Sequence, residues 1–307
     1  MASASAPERI LQRLDWQVIR RLDGLLQGDY RSLFHGGGLD FAGLREYQFG
    51  DDVRAIDWNV TARMDTPYVR EYQEDREITG WFLLDLSPSV DFGTADEDRR
   101  KRSVLIDFVT TLARLLTRRG NRVGAILYTS RVAHTTPPGT GRAQVLRIIE
   151  DLLRQPRLEA APVTDLSELL QEAHQRIRRR SFVVLISDFL AVPGWERHLE
   201  LLNRRHELLA IRLVDPREID LPDVGPVVLE DAETGEQLYV DTADAGFRQR
   251  FRAGADAREA AIGAAFRRAR VDAVTLSTDD DLVRAVVRMA AERRMRRTRP
   301  DVREVPA

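Results

Sequence analysis

Trp81-Phe82-Leu83-Leu84-Asp85-Leu86-Ser87-Pro88-Ser89 begins as an unbroken apolar run and ends on a carboxylate and two hydroxyls. A short continuous apolar run fits a strand buried on both faces, and the serines and proline that follow are turn formers. A helix is expected next, over residues 96–119, with Val104, Phe108, Leu112 and Leu115 on one face and Gly120 as its stop. The stretch therefore reads as a strand feeding a helix, with Asp85, Ser87 and Ser89 on the turn between them.

Outward from that turn, strands and helices alternate. Residues 122–128 and 131–136 read as two strands joined by a tight turn, and residues 141–153 as a helix. Residues 165–179 read as another helix, approached through Pro162-Val-Thr-Asp165, with Thr164 as its expected N-cap. Residues 181–187 form the most continuous apolar strand of the chain and lead into Asp188. Beyond it come a helix at 195–205, a strand at 208–214, a hairpin pairing 227–230 with 237–240, a helix at 245–270, a strand at 271–276 and a helix at 280–297. This order implies an α/β fold, a mostly parallel sheet flanked by helices. Upstream, Ile10, Leu11, Leu14, Val18, Leu22 and Leu25 recur near helical spacing and predict an amphipathic lead helix ending near Gly28. Residues 29–80 change in texture to short strands and turns. The expected division is residues 1–80 as a lead helix plus a small strand-and-loop segment, 81–297 as the α/β domain with a hairpin insertion at about 220–243, and 298–307 as a tail.

With 307 residues the chain can bury a full core, and with no cysteine it has neither disulfides nor thiolate metal ligands nor a cysteine nucleophile. A net charge of −2 argues against bulk nucleic-acid binding. Nearly all the positive charge is arginine, Lys101 being the single lysine. The first residues carry no basic segment leading into an apolar one, and residues 182–186, the longest apolar run, fall far short of the roughly 20 needed to span a bilayer. A cytoplasmic protein with no membrane span is the expectation.

In parallel sheets, ligands bind outside the carboxyl ends of the strands, where Asp85 and Asp188 both lie. Asp85, Ser87, Ser89, Thr164 and Asp188 offer oxygen alone, a donor set that suits a hard octahedral cation such as Mg²⁺ or Mn²⁺. Taken singly, each would also serve as an ordinary turn or helix cap. Other signals carry less. There is no Gly-Lys-Ser/Thr for a nucleotide loop, and no Gly-x-Ser-x-Gly elbow to accompany His35-Gly-Gly-Gly38. The five histidines lack metal-protease spacing and are expected in surface or capping roles. Arg45, Glu46, Asp51, Asp52, Arg54, Asp57 and Arg63 form a charged cluster, read either as salt-bridged surface or as a docking face. The arginine runs at 176–180 and 293–297 read as basic helix ends.

In that order on that background, Asp85-Leu-Ser-Pro-Ser89, Thr164 and Asp188 resemble the metal-ion-dependent adhesion site of von Willebrand factor A domains. Gly38-Leu-Asp-Phe41, Leu44-Arg-Glu-Tyr-Gln48, Gly50-Asp-Asp-Val-Arg54, Ile56-Asp-Trp58, Ala62-Arg63 and Leu276-Ser-Thr-Asp279 resemble the bacterial family catalogued as domain of unknown function 58. The resemblance runs from about Asp29 to Arg297. It implies a von Willebrand factor A-like fold, a metal held by the five residues above, no catalytic residues, and work beside a MoxR-type AAA+ ATPase in maturing or assembling other proteins. The open position on the metal would take a carboxylate from that ATPase or from a client. The alternative from another class is a Mg²⁺-dependent phosphohydrolase using Asp85 as nucleophile. In haloacid-dehalogenase-type phosphatases, however, a second acid stands where this loop has Ser87.

Overall fold

A computed structural model of the chain describes residues 4–25, 40–49, 51–64, 66–73, 78–93, 100–158 and 163–298. Several sequence expectations lie outside these residues: the run at 35–38, Gly50, the start of a helix at 96, Pro162 and the tail beyond 298.

The lead helix is α1 (Ala6–Leu14), a single π turn (Asp15–Ile19) and α2 (Arg20–Leu25). Pro7 stands in its first turn, where a missing N–H costs nothing. Next come β1 (Asp40–Glu46), α3 (Trp58–Met64) and β2 (Tyr68–Gln73). The remaining elements are β3 (Thr79–Asp85), α4 (Lys101–Thr117), β4 (Arg122–Tyr128), β5 (Val132–Gly139), α5 (Gly141–Arg154), α6 (Leu166–Arg176), β6 (Phe182–Ser187), α7 (Trp195–Arg205) and β7 (Glu207–Val214). They are followed by β8 (Pro226–Glu230), β9 (Gln237–Asp241), α8 (Ala245–Arg268), β10 (Asp272–Ser277) and α9 (Leu282–Thr298).

Residues 35–77 form one compact unit, and residues 1–34 with 78–307 form the other. The lead helix was expected to group with the small N-terminal segment, but it packs within the α/β unit instead. Leu11, Leu14, Val18, Ile19 and Leu22 are all buried in the core built on α4, α5 and α9. Arg114 and Arg118 of α4 pair with Asp15 and Asp23 at 3.0 and 2.8 Å, and Arg13 pairs with Asp107 at 2.6 Å. The apolar stripe decides this packing, because partly exposed ion pairs contribute little.

The α/β unit holds a six-stranded sheet in the order β10-β7-β6-β3-β4-β5, parallel except for the edge strand β5. The α/β expectation is thus what the structure shows. From β3 the chain runs outward to β4 and β5, then returns to place β6 on the other side of β3. The strand order therefore reverses between β3 and β6, the point in such sheets from which the loops leaving the two strands diverge. Residues 81–85 and 182–187 are buried without exception, which explains why they read as unbroken apolar runs. Gly120 adopts a φ of +81° after α4, the left-handed stop expected of it.

The unit of residues 35–77 is built on β1 pairing antiparallel with β2, with a bulge between Phe41 and Gly43. Within it Arg45 grips Asp51 through two bonds of 2.7 Å, which hold that carboxyl below the usual range. Asp52 and Asp57 cap backbone amides of Arg54 and Asn59. Phe49, Val53, Trp58 and Met64 are exposed.

Candidate functional site

Asp85 ends β3, and its two oxygens are held by different segments, the loop that follows it and the end of β6. Oδ1 accepts the Ser87 amide at 3.0 Å, and Oδ2 accepts the hydroxyl of Ser187, the last residue of β6, at 2.6 Å. The hydroxyls of Ser87 and Ser89 lie 3.1 Å apart, both buried. Pro88 opens a short 3₁₀ turn at residues 88–91, which brings the alternate serines to one side. Asp188 follows β6 directly, fully buried, with its Oδ1 accepting the Leu190 amide at 3.1 Å. Phe189 takes a φ of 54°, a strained backbone for an aromatic residue, and is held there against Phe266 and Trp195 at ring distances of 4.8 and 5.2 Å.

Thr164 is buried at the same edge, tied to the loop after β6 by the Val192 amide donating to its carbonyl at 2.9 Å. The next amide, of Asp165, donates to the Tyr128 hydroxyl at 3.1 Å. Thr164 is not the N-cap of α6. Asp165 is, its carboxylate accepting the Ser167 amide at 2.8 Å. The Thr164 hydroxyl is spent elsewhere: it donates to Glu233 Oε1, and the Thr164 amide donates to Glu233 Oε2 at 3.0 Å.

The largest feature missed in the sequence is Lys101. Its ammonium is fully buried and bridges Asp188 Oδ2 at 2.8 Å and Glu218 Oε1 at 2.5 Å. Glu218 is itself set by a capping box with Asp215, and Asp215 accepts the Thr278 hydroxyl at 2.9 Å. Thr278, from the Leu276-Ser-Thr-Asp279 stretch, thus reaches the site through Asp215, Glu218 and Lys101. Arg212 adds a donor to the Asp188 carbonyl while pairing with Glu259. One signal was available: a lone lysine in a chain otherwise built on arginine, opening the helix after the Asp85 loop.

The charges divide unevenly. Burial opposes ionisation of Asp188, but Lys101 and then Arg212 outweigh it and hold the carboxyl below its ordinary value. Burial likewise opposes the Lys101 ammonium, and the two carboxylates prevail. Asp85 has no such partner and is pushed up to about 7, first by burial and then by the charge of Asp188. Burial also raises Tyr128, to about 12, with the Asp85 charge adding to it.

No cluster of three or more acidic or histidine side chains suited to a metal is formed among the described residues, so a cation here would depend on hydroxyls. The donor set fits one. Asp85, Ser87 and Ser89 converge as buried oxygens beside Asp188. Lys101 nevertheless takes one oxygen of Asp188, leaving Asp85 as the one of these two aspartates not paired to a basic side chain.

Residues 43–261, well over half of the chain, match the family described as "Protein of unknown function DUF58". The chain is a member of the DUF58 family. An uncharacterized protein of Mycobacterium tuberculosis is 38% identical over 286 residues, covering 92% of this chain and 89% of its own length. Among solved structures, the conserved hypothetical protein BatB from Bacteroides thetaiotaomicron aligns with a TM-score of 0.44 at 11% identity, over 71% of this chain and 99% of its own. The manganese-loaded TRAP protein of Plasmodium vivax aligns with a TM-score of 0.32 at 21% identity, over 44% of this chain and 56% of its own. Likenesses this distant add nothing to the strand order already described for this DUF58 chain. No helix among its described residues is long and apolar enough to cross a membrane.

Proposed function

We propose that this chain is a non-catalytic, metal-dependent binding module that recognises a carboxylate on a protein partner. One observation carries the reading: three buried oxygen donors, from Asp85, Ser87 and Ser89, converge beside Asp188 at the point where the strand order reverses. A Mg²⁺ or Mn²⁺ bound there would offer the partner an electrophilic position, since two aspartates and neutral hydroxyls cannot fill six sites. The residues that would hold it are Asp85, Ser87, Ser89, Thr164 and Asp188. Ser187 orients Asp85, and Lys101 fixes Asp188 while lowering the demand for a second positive charge.

Binding is favoured over hydrolysis by the state of the groups a phosphohydrolase would need. Ser87 stands where a second catalytic acid would be needed, and the only lysine is sealed between two carboxylates. The family resemblance extends the proposal to the partner, a MoxR-type AAA+ ATPase or a client that it remodels. The test is capture from native lysate of the source organism with the tagged chain, with and without chelator. Chelation should release the ATPase or client, and Ser87→Ala should weaken capture by about 2–5 kcal/mol, the scale of a desolvated charge contact. Co-purification that survives both treatments undiminished contradicts the proposal.

A further inference from the structure

The hairpin of β8 and β9 carries most of its surface in solvent. Val228 and Tyr239, cross-strand partners, are 54% and 74% exposed. Its inward side is not exposed: Val227 and Leu229 are half-buried and Val240 is buried, and at the tip Ala232 and Glu233 are half-buried between exposed neighbours, so the turn is seated as well. The turn is rigid. Asp231 Oδ1 accepts the amides of Glu233 and Thr234 at 3.0 and 2.7 Å, the Gly235 amide returns to the Asp231 carbonyl at 2.8 Å, and Gly235 takes a φ of +71°. A turn so braced projects one side chain, Glu233, whose two carboxylate oxygens both go to Thr164.

Thr164 is one of the five residues assigned to the candidate cation site, and it is almost fully buried. A surface hairpin 69 residues away in sequence thus delivers a carboxylate to one of the residues that would hold the cation. Nothing about hairpin stability requires this, because the strands pair through their own ladder and the turn is closed by Asp231. A glutamate driven to a buried hydroxyl and amide gives up hydration, which it recovers only by binding there.

We infer that Glu233 is an internal carboxylate ligand of the site, held in the partner's place by the hairpin and displaced when an acidic side chain of a protein partner binds. This rests on the carboxylate-binding reading above and adds its regulation. The hairpin tether gives Glu233 a local concentration on the order of millimolar, so a free acidic peptide competes poorly until the tip lifts. The exposed apolar strand face of Val228 and Tyr239 is then the surface through which a partner could lift it.

The test supplies the occupant in trans. A fluorescein-labelled peptide with the sequence of residues 229–238 is titrated by fluorescence anisotropy, with Mn²⁺ present, into the full chain, into Glu233→Ala and into Glu233→Gln. Far-UV circular dichroism checks the fold of each, and Glu233→Gln preserves the size of the side chain should Glu233→Ala not fold. The peptide should bind the variants about tenfold or more tighter than the unaltered chain. A peptide carrying glutamine in place of its central glutamate should bind none of them. A gain abolished by EDTA supports both the internal ligand and the metal. A gain indifferent to EDTA supports the internal ligand and counts against the metal reading alone, with Thr164 recognising the carboxylate directly. Equal or absent binding to unaltered and variant chains overturns the inference.

Discussion

Lys101 carries a positive charge to a place with no exposed surface, and what makes that tolerable is the geometry of Asp188 and Glu218 on either side. A buried pair stripped of one partner leaves an uncompensated charge behind, typically at a cost of about 3–5 kcal/mol. Lys101→Met, close in length and without charge, is therefore expected to lose about that much in urea denaturation. A loss below about 1 kcal/mol would contradict a charged bridge at this position. At this scale the sequence was readable where chemistry is local. Asp85, Ser87 and Ser89 share one turn, so their proximity was legible from their spacing. Lys101, Glu218 and Glu233 come to it from 87, 117 and 69 residues' separation from the groups they bind, and no local pattern encodes such contacts. Thr164 was expected as the cap of the helix that follows it, and Asp165 takes that role. A hydroxyl next to an aspartate before a helix leaves two candidates for one role, and the carboxylate took it.

Elements were legible wherever one period dominated. The apolar runs of β3 and β6 appear with nearly the bounds their residues imply, because full burial leaves little room for another pattern, whereas α4 keeps its expected stripe but opens only at Lys101, after an extended Arg100. Helix ends were less legible. The helix expected over residues 165–179 stops at Arg176, where Ile177 turns extended with its side chain buried. Arg293 was expected on a basic helix end. Instead it is buried, pairs with Glu207 and lies 4.8 Å over the ring of Phe182. His206, between α7 and β7, likewise departs from the surface role expected of it. It is buried with neither ring nitrogen hydrogen-bonded among the described residues. Burial, reinforced by Arg205, His174 and Arg180, pushes its pKa down to about 4. The unfolded chain, with an ordinary histidine near pH 6.5, binds the proton first. Stability from a neutral His206 is thus complete above about pH 6.5 and lost as pH falls toward 4, by at most about 2 kcal/mol after solvent screening. Asp85, raised instead of lowered, acts in the opposite sense across an overlapping range. The informative quantity is therefore the urea midpoint of the chain relative to that of His206→Leu, which should fall between pH 7 and pH 4.5 as the unaltered chain weakens. A pH-independent difference would mean the ring is hydrated in the native state.

At the scale of the whole molecule, alternating strands and helices determined the α/β architecture, while the partition of the chain did not follow sequence order. The lead helix belongs with elements that begin at residue 78, and residues 35–77 make a unit of their own. An amphipathic helix shows that it will bury one face but not against what. The sheet order has the clearest functional consequence, because the reversal between β3 and β6 is what sets Asp85 and Asp188 side by side. The most direct measurement of that consequence is isothermal titration of Mg²⁺ or Mn²⁺ into the full chain and into Asp85→Ala, each checked by far-UV circular dichroism. One equivalent of metal should bind the unaltered chain and none the variant, with the fold retained. Equal affinity in a folded Asp85→Ala, or no binding to either, would contradict a metal site built on this edge of the sheet.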